Sequence, residues 1–107
     1  MKLCHAAALA LMGWYLIVPP ASCKPGWVSD WKPSPCSAPL SEWIVTLLFS
    51  SSEKCAAERR ADIAYGKQEA NTFKDSFNRQ LVDSTEGLYW RALTERCIST
   101  DDPRFAK

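Results

Sequence analysis

The chain has 107 residues, of which 13 are basic and 12 acidic, and its formal net charge is +1. This length allows one small domain, and the balanced charge disfavours nucleic-acid binding, which depends on clustered lysine and arginine. His5 is the single histidine, so the chain beyond it lacks the Ser–His and Cys–His pairs on which many hydrolases depend.

The first predicted element is an apolar segment of 16 residues, from Leu3 to Val18, which is interrupted by His5 and followed by two prolines. As a helix it would span roughly 24 Å, less than the roughly 30 Å hydrocarbon core of a bilayer. Lys2 before it and the prolines after it are typical of an export signal, so residues 1–22 are predicted to be a signal peptide or membrane anchor. The alternative is a buried N-terminal helix of a cytosolic protein, which the segment supports poorly because it has no polar face.

The sequence leaves open what happens to this segment. The small residues at 21–23 allow cleavage, which would release a secreted or periplasmic product. The same residues approach a lipoprotein motif, in which Cys23 would carry the lipid. An uncleaved segment would instead hold the chain on the membrane through residues 3–18, with Trp14 and Tyr15 near the interface.

Residues 23–41 are predicted to form an extended linker, because several prolines and a glycine resist regular structure there. Trp27 and Trp31 lie four residues apart within this linker. They provide either an aromatic contact surface or packing onto the domain that follows. Packing is the favoured interpretation, because it is the commoner role of such a pair.

Residues 42–107 are predicted to form a small single α+β domain with a two-stranded sheet and two helices. The β-branched and aromatic run at 43–49 has the length of a strand that is covered on both faces or half-covered at its end. A short strand near 94–99 is predicted to pair with it. Two strands are marginal by themselves, so this sheet would need the helices and a covalent cross-link for stability.

Two helices are predicted between these strands. Serines before Glu53 supply capping groups for a strongly helix-forming segment at 53–65. Gly66 either ends or weakens this helix. Beyond it, apolar residues recur at helical spacing and predict a second helix over 70–82, with Phe73 and Phe77 in the core.

Four cysteines lie beyond the apolar segment, and they allow three disulfide pairings between which the sequence cannot choose. Loop entropy and the local pattern favour Cys55 with Cys97 and Cys23 with Cys36. Lipidation of Cys23 would leave Cys36 without a partner. The spacings lack a C-x-x-C pair and no histidine is near, so neither a metal nor another cofactor is predicted.

Three segments of the chain resemble motifs of other proteins. The segments GWYLIVPP at 13–20 and CISTDDPRF at 97–105, with the Leu-Ser-x-Trp motif at 40–43, resemble a group of short uncharacterised bacterial proteins. Those proteins pair a GWYL-hydrophobic-PP leader with a C-terminal C-[IV]-[AS]-[ST]-DDPR motif. The resemblance implies that Cys55 and Cys97 belong to the shared pattern, and that the other two cysteines are particular to this chain. It implies no activity.

Carboxylates are the remaining candidates for catalysis. Glu58 and Asp62 share a helix face at i, i+4, and Asp101 and Asp102 are adjacent. A domain of this size rarely builds the cleft that two catalytic carboxylates require, so a solvated charge pattern and a local ion pair are the favoured interpretations. A thiol redox role for Cys55 is less favoured, because no second cysteine stands close in sequence.

The sequence therefore predicts a non-enzymatic interaction module that is exported or tethered to the cell envelope. Its expected partner is a protein or the membrane surface, because tryptophan is frequent in this short chain and is enriched at interfaces. A membrane-anchored accessory subunit and a lipoprotein linked through Cys23 are the alternatives.

Overall fold

The computed structural model describes residues 13–105 and contains, within that range, a three-stranded antiparallel sheet, a two-stranded ribbon and two long helices. The elements in chain order are β1 (Trp14–Val18), β2 (Trp27–Ser29), β3 (Lys32–Pro33), β4 (Ile44–Phe49), α1 (Ser52–Phe73), α2 (Arg79–Thr94) and β5 (Arg96–Ser99). Short 3-10 turns at Leu40–Glu42 and Pro103–Phe105 complete the described fold. The α+β class predicted from the sequence is confirmed.

The middle strand of the three-stranded sheet is β1, which pairs with β4 on one side and β5 on the other. Leu16 and Ile17 at its centre are only 2% and 0% exposed. The predicted two-stranded sheet is therefore wrong, because residues 43–49 and 94–99 do not pair with each other and are separated by this third strand. The predicted leader helix is likewise wrong for residues 14–18, while the part of residues 1–22 before Gly13 lies outside the described residues.

The two faces of the sheet are covered differently. Leu16 and Val18 face the side that carries the helices, where α1 packs on all three strands. On the opposite face Ile17 packs with Trp43 and Ile98. Five partly buried hydrophobic residues pack against this cluster, namely Tyr15, Cys36, Ala38, Leu40 and Phe105. The core is thus one layer of helices and one layer of loops with β1 between them.

Helix α1 is longer than predicted. The Ser51 hydroxyl accepts a hydrogen bond from the Lys54 backbone N–H at 3.2 Å and caps the helix start, as the serines predict. Gly66 does not end the helix, because it is the point of closest approach to α2. A Cβ at Gly66 would lie 2.9 Å from the Tyr89 Cα, too close for any larger residue without a shift of the two helices.

The second helix begins nine residues later than predicted, after the Asn78 side chain caps it by accepting from the Leu81 N–H at 3.2 Å. The predicted helix over 70–82 therefore spans the end of α1, a turn and the start of α2. Phe77 lies in that turn and is fully exposed, so its predicted place in the core is wrong. The helical spacing that predicted it crosses a chain reversal.

Residues 23–41 are not an extended linker but a folded cover over α2. Their β2–β3 ribbon places Trp27 and Trp31 in edge-to-face contact, with ring centroids 5.0 Å apart. Both rings also contact Tyr89, with centroid distances of 5.7 and 5.2 Å. The Trp90 indole N–H donates to the Ser34 carbonyl at 3.0 Å. The tryptophan pair therefore packs onto the domain, as the favoured interpretation expects.

Two disulfides connect these layers. Cys23 is bonded to Cys36 and Cys55 to Cys97, with Cα atoms 5.5 and 6.0 Å apart. These are the pairs that loop entropy and the local pattern favour. The first closes the cover segment, and the second ties the start of α1 to β5. Because the Cys23 sulfur is bonded to Cys36, the lipidation proposed for Cys23 from the sequence is incompatible with this structure.

Replacing Cys55 and Cys97 together by alanine is expected to lower the free energy of unfolding by about 4 kcal/mol, because their bond closes a 42-residue separation. The matched double variant of Cys23 and Cys36, which spans 13 residues, is expected to lose about 3 kcal/mol. Urea unfolding of both under oxidising conditions measures the difference. A larger loss for the shorter cross-link would contradict the entropic explanation.

A chain that begins at Lys24 is expected not to fold, because it lacks the central strand β1. A chain that begins at Gly13 keeps every described element and is the matched control. Near-ultraviolet circular dichroism and urea unfolding distinguish the two. Cooperative unfolding of the shorter chain would show that β4 and β5 can form a sheet without β1.

Candidate binding surface along β4

Strand β4 is an edge strand with an unusually apolar surface. Within residues 13–105 it pairs only with β1, so its other edge carries no strand. Four of its large side chains are between 40% and 65% exposed, namely Ile44, Val45, Leu47 and Leu48. The sequence predicts a strand covered on both faces or half-covered at its end. Among residues 13–105, α1 contacts β4 but leaves these four side chains exposed, so the predicted cover on both faces is wrong.

These side chains project from both faces of the strand. Leu48 is opposite Tyr15, so it shares the face covered by loops. Leu47 is opposite Leu16 and shares the face that carries the helices. Exposed apolar groups therefore flank the free edge above and below, which is the arrangement that an added strand could cover.

A bulge interrupts the pairing of β4 with β1 between Leu16 and Ile17. Thr46 is the extra residue, and its hydroxyl donates to the Leu16 carbonyl at 3.0 Å. Bulges occur often at sheet edges and next to sites, where they reorient neighbouring side chains. In a regular strand, residues two positions apart point to the same face. Because of the bulge, Val45 and Leu47 point to opposite faces of the sheet instead.

A groove of about 260 Å³ lies between β4 and the two helices. Its walls are apolar over most of their area and include Leu16, Val18, Leu47 and Leu88. Ligand sites for drug-sized molecules usually measure about 300–1,000 Å³. The groove is thus suited to one side chain or one small molecule of similar size.

Three carboxyl groups line the same groove. Glu58 and Asp62 come from consecutive turns of α1, and Glu95 follows the last residue of α2. Sequence spacing places Glu58 and Asp62 on one helix face, and the structure directs that face toward the groove. The sequence offers no sign that Glu95 joins them, because it lies 33 residues beyond Asp62 and meets it only through the packing of α1 against α2.

Glu95 is held firmly through its backbone. Its N–H donates to the Arg91 carbonyl at 2.9 Å, and its carbonyl accepts from the Arg59 Nε at 2.8 Å. The same guanidinium donates to the Leu93 carbonyl at 3.1 Å. Arg59 therefore caps the end of α2 and is engaged by carbonyl groups rather than by the Glu95 carboxylate.

The Glu95 side chain is only 4% exposed, and no donor group among the described residues reaches its Oε1 atom. Burial raises the pKa of Glu95 from 4.5 to about 8, and the adjacent Asp62 carboxyl raises it through a hydrogen bond and its negative charge. Glu58 contributes in the same direction, whereas Arg59 opposes it. At neutral pH Glu95 is thus mostly protonated and shares its proton with Asp62.

The other acidic pair singled out in the sequence forms a local turn. Asp101 accepts a short hydrogen bond from the Ser99 hydroxyl. Asp102 receives the Arg104 side chain at 2.8 and 3.2 Å and its backbone N–H at 2.8 Å. The hydrogen bond from the Arg104 side chain lowers the pKa of Asp102. These contacts agree with the interpretation of this segment as a local ion pair.

Among residues 13–105, no cluster of histidine, cysteine or acidic side chains has the arrangement of a metal site. Over the same residues, neither helix contains a stretch both long and apolar enough to cross a bilayer. No family model, curated protein or solved structure matches the chain.

Replacing Glu95 by glutamine is expected to change how stability depends on pH. Between pH 4.5 and 8 the unfolded Glu95 is ionised while the folded one keeps its proton, so the unfolding free energy of the native protein falls as the pH rises. The slope from this group is at most about 1.4 kcal/mol per pH unit. Urea unfolding at pH 5 and pH 8 should show that glutamine removes this slope.

The exposed Glu42 provides the control, because its replacement by glutamine should leave the slope unchanged. An equal slope in the native protein and the Glu95→Gln variant would mean that Glu95 is ionised in the folded state at neutral pH.

Proposed function

We propose that this protein is a non-enzymatic interaction module of an oxidising compartment, and that it binds an extended segment of a partner protein along β4. The observation that carries the proposal is the outer edge of β4, which no strand within residues 13–105 pairs with and whose exposed side chains are apolar on both faces. Edge strands are usually protected by charged residues, proline or a covering element. The strand sequence Ile-Val-Thr-Leu-Leu-Phe contains neither a charge nor a proline.

Addition of a strand would satisfy both features of this edge. The backbone of an extended segment would pair with the outward N–H and carbonyl groups of β4, and its alternate side chains would cover Leu48 on one face and Leu47 on the other. The groove beside Leu47 offers a place for one inserted side chain. Main-chain pairing would supply affinity, and this groove would supply selectivity.

The two disulfides support the oxidising compartment. A pair of cross-links in one small domain is compatible with an extracellular location, because cytosolic reductants keep most thiols reduced. Cys55 is fully buried, which favours a structural cross-link over thiol redox exchange. Cleavage at residues 21–23 would remove β1, so a secreted or periplasmic form of this module has to retain the chain from Gly13 onward. An accessory subunit anchored through its N-terminal residues also fits this interaction role.

Binding along the β4 edge is tested with extended peptides, which are selected from a random displayed library against the oxidised full-length protein. The Leu48→Lys variant is expected to bind the selected peptides at least tenfold more weakly, because the added strand would bury the lysine charge on this face. Phe77→Lys makes the same change at an exposed apolar residue in the turn between the helices, and should leave binding unchanged.

Hydrogen exchange locates the bound peptide, which should protect amides of β4. Peptides that protect α2 or the β2–β3 ribbon instead would contradict the proposed surface. Sedimentation of the free protein provides a second check. Self-association that Leu48→Lys abolishes would show that a second copy of this chain occupies the edge, which would overturn the proposal of a different partner.

A further inference from the structure

We propose that residues 3–12 of this chain cover the exposed side chains of β4, and that a partner strand has to displace them in order to bind there. The contact itself rests on the surface of β4 and on the place where the described residues begin. The displacement, which would regulate access to the edge, rests also on the proposed function.

The surface in question lies on the face of the sheet that loops cover. Val45 is opposite Ile17 and Leu48 is opposite Tyr15, so both β4 side chains belong to this face. Val45 is 40% exposed and Leu48 is 65% exposed, whereas Ile17 beside them is completely buried. Packing among residues 13–105 therefore leaves an apolar strip along β4, next to a closed hydrophobic cluster.

The described residues begin beside this strip. A Cβ at Gly13 would lie 3.4 Å from the Leu48 Cδ1 atom and 2.8 Å from the Phe49 carbonyl oxygen, so Gly13 lies directly against the end of β4. The Gly13 N–H donates to the Thr100 hydroxyl at 3.0 Å, and the Gly13 carbonyl accepts from the Thr100 N–H at 2.9 Å. These contacts fix the point at which the preceding residues join the sheet, next to Leu48.

Residues 3–12 have the composition and the length to cover the strip. Their sequence, Leu-Cys-His-Ala-Ala-Ala-Leu-Ala-Leu-Met, is largely apolar and has no formal charge at pH 7. Ten residues span roughly 33 Å as an extended chain or roughly 15 Å as a helix. The six residues of β4 span roughly 20 Å. From Gly13, either conformation can therefore pass over Leu48 and reach Val45.

The covalent connection to β1 favours this segment over a separate ligand. A short connection holds a binding segment at an effective concentration in the millimolar range, so a weak contact is sufficient for occupancy. Burial of apolar groups on both sides supplies the favourable free energy. A partner strand would cover the same Leu48 side chain, and its apparent affinity would fall in proportion to the fraction of protein whose β4 is uncovered.

Cys4 provides the probe, because the other four cysteines are bonded to one another in two disulfides. A nitroxide label on Cys4 of the oxidised full-length protein broadens the amide NMR signals of nearby residues. Ile44 and Arg96 are matched reporters, because they lie on opposite edges of the sheet at the end remote from Gly13. We expect the Ile44 signal to lose at least twice as much intensity as the Arg96 signal. Equal losses would overturn the inference.

The contact should depend on apolar groups on both sides. Leu48→Lys should make the two losses equal, and so should joint replacement of Leu9 and Leu11 by serine, which leaves the described fold unchanged. The control Val28→Ser, at an exposed residue of β2, should keep the difference. A greater loss at Ile44 that survives the serine replacements would overturn the contact. So would broadening of a nitrogen-15 protein by an added spin-labelled copy, because the segment of a second molecule would then occupy β4.

Peptide affinity distinguishes this inference from the proposed function. The protein with serine at positions 9 and 11 should bind the peptides selected for β4 at least threefold more tightly than the unmodified protein, and Val28→Ser should not. Equal affinities would overturn the displacement. Unequal losses at Ile44 and Arg96 without peptide binding along β4 in any variant would retain the contact and overturn the proposed function. Peptides that protect β4 while the two losses are equal would retain the interaction module and overturn the contact.

Discussion

The fold depends on β1 lying between two strands that follow it much later in the chain. Its neighbours are β4 and β5, and the Gly13 N–H donates to the Thr100 hydroxyl across a separation of 87 residues. Formation of the sheet therefore requires closure of nearly the whole described chain, which is entropically costly. The Cys55–Cys97 bond reduces this cost, since it holds the start of α1 against β5 and leaves β1 to complete the sheet.

The same arrangement creates the exposed surface. Among residues 13–105, the packed elements bury the centre of β1 almost completely but leave the large side chains of β4 between 40% and 65% exposed. Each 100 Å² of apolar surface left in water forgoes roughly 2.5 kcal/mol of burial. A small domain with modest total stability retains such a surface at appreciable cost, and a partner strand that covered Leu47 and Leu48 would recover it.

Burial of a carboxyl group in the groove also has a free-energy cost. Glu95 is buried beside Asp62, and its burial is tolerated because Glu95 keeps its proton and is uncharged at neutral pH. Buried acids with displaced pKa values are concentrated at functional sites, where their charge state can respond to a ligand. The apolar edge and this acidic groove meet at Leu47, so a single extended ligand can contact both.

The sequence by itself determined the α+β class and the capped start of α1, because these follow from local composition and spacing. It favoured, but did not decide, the pairing of the four cysteines and the packing of Trp27 and Trp31. Only the tertiary structure decided that the apolar GWYLIV segment is the central strand, since one apolar run is equally compatible with a leader helix and a buried strand. The same holds for Gly66, whose role is visible only where Tyr89 approaches it. It holds also for β4 and Glu95, because exposure of an edge and the meeting of distant carboxyl groups depend on which elements become neighbours.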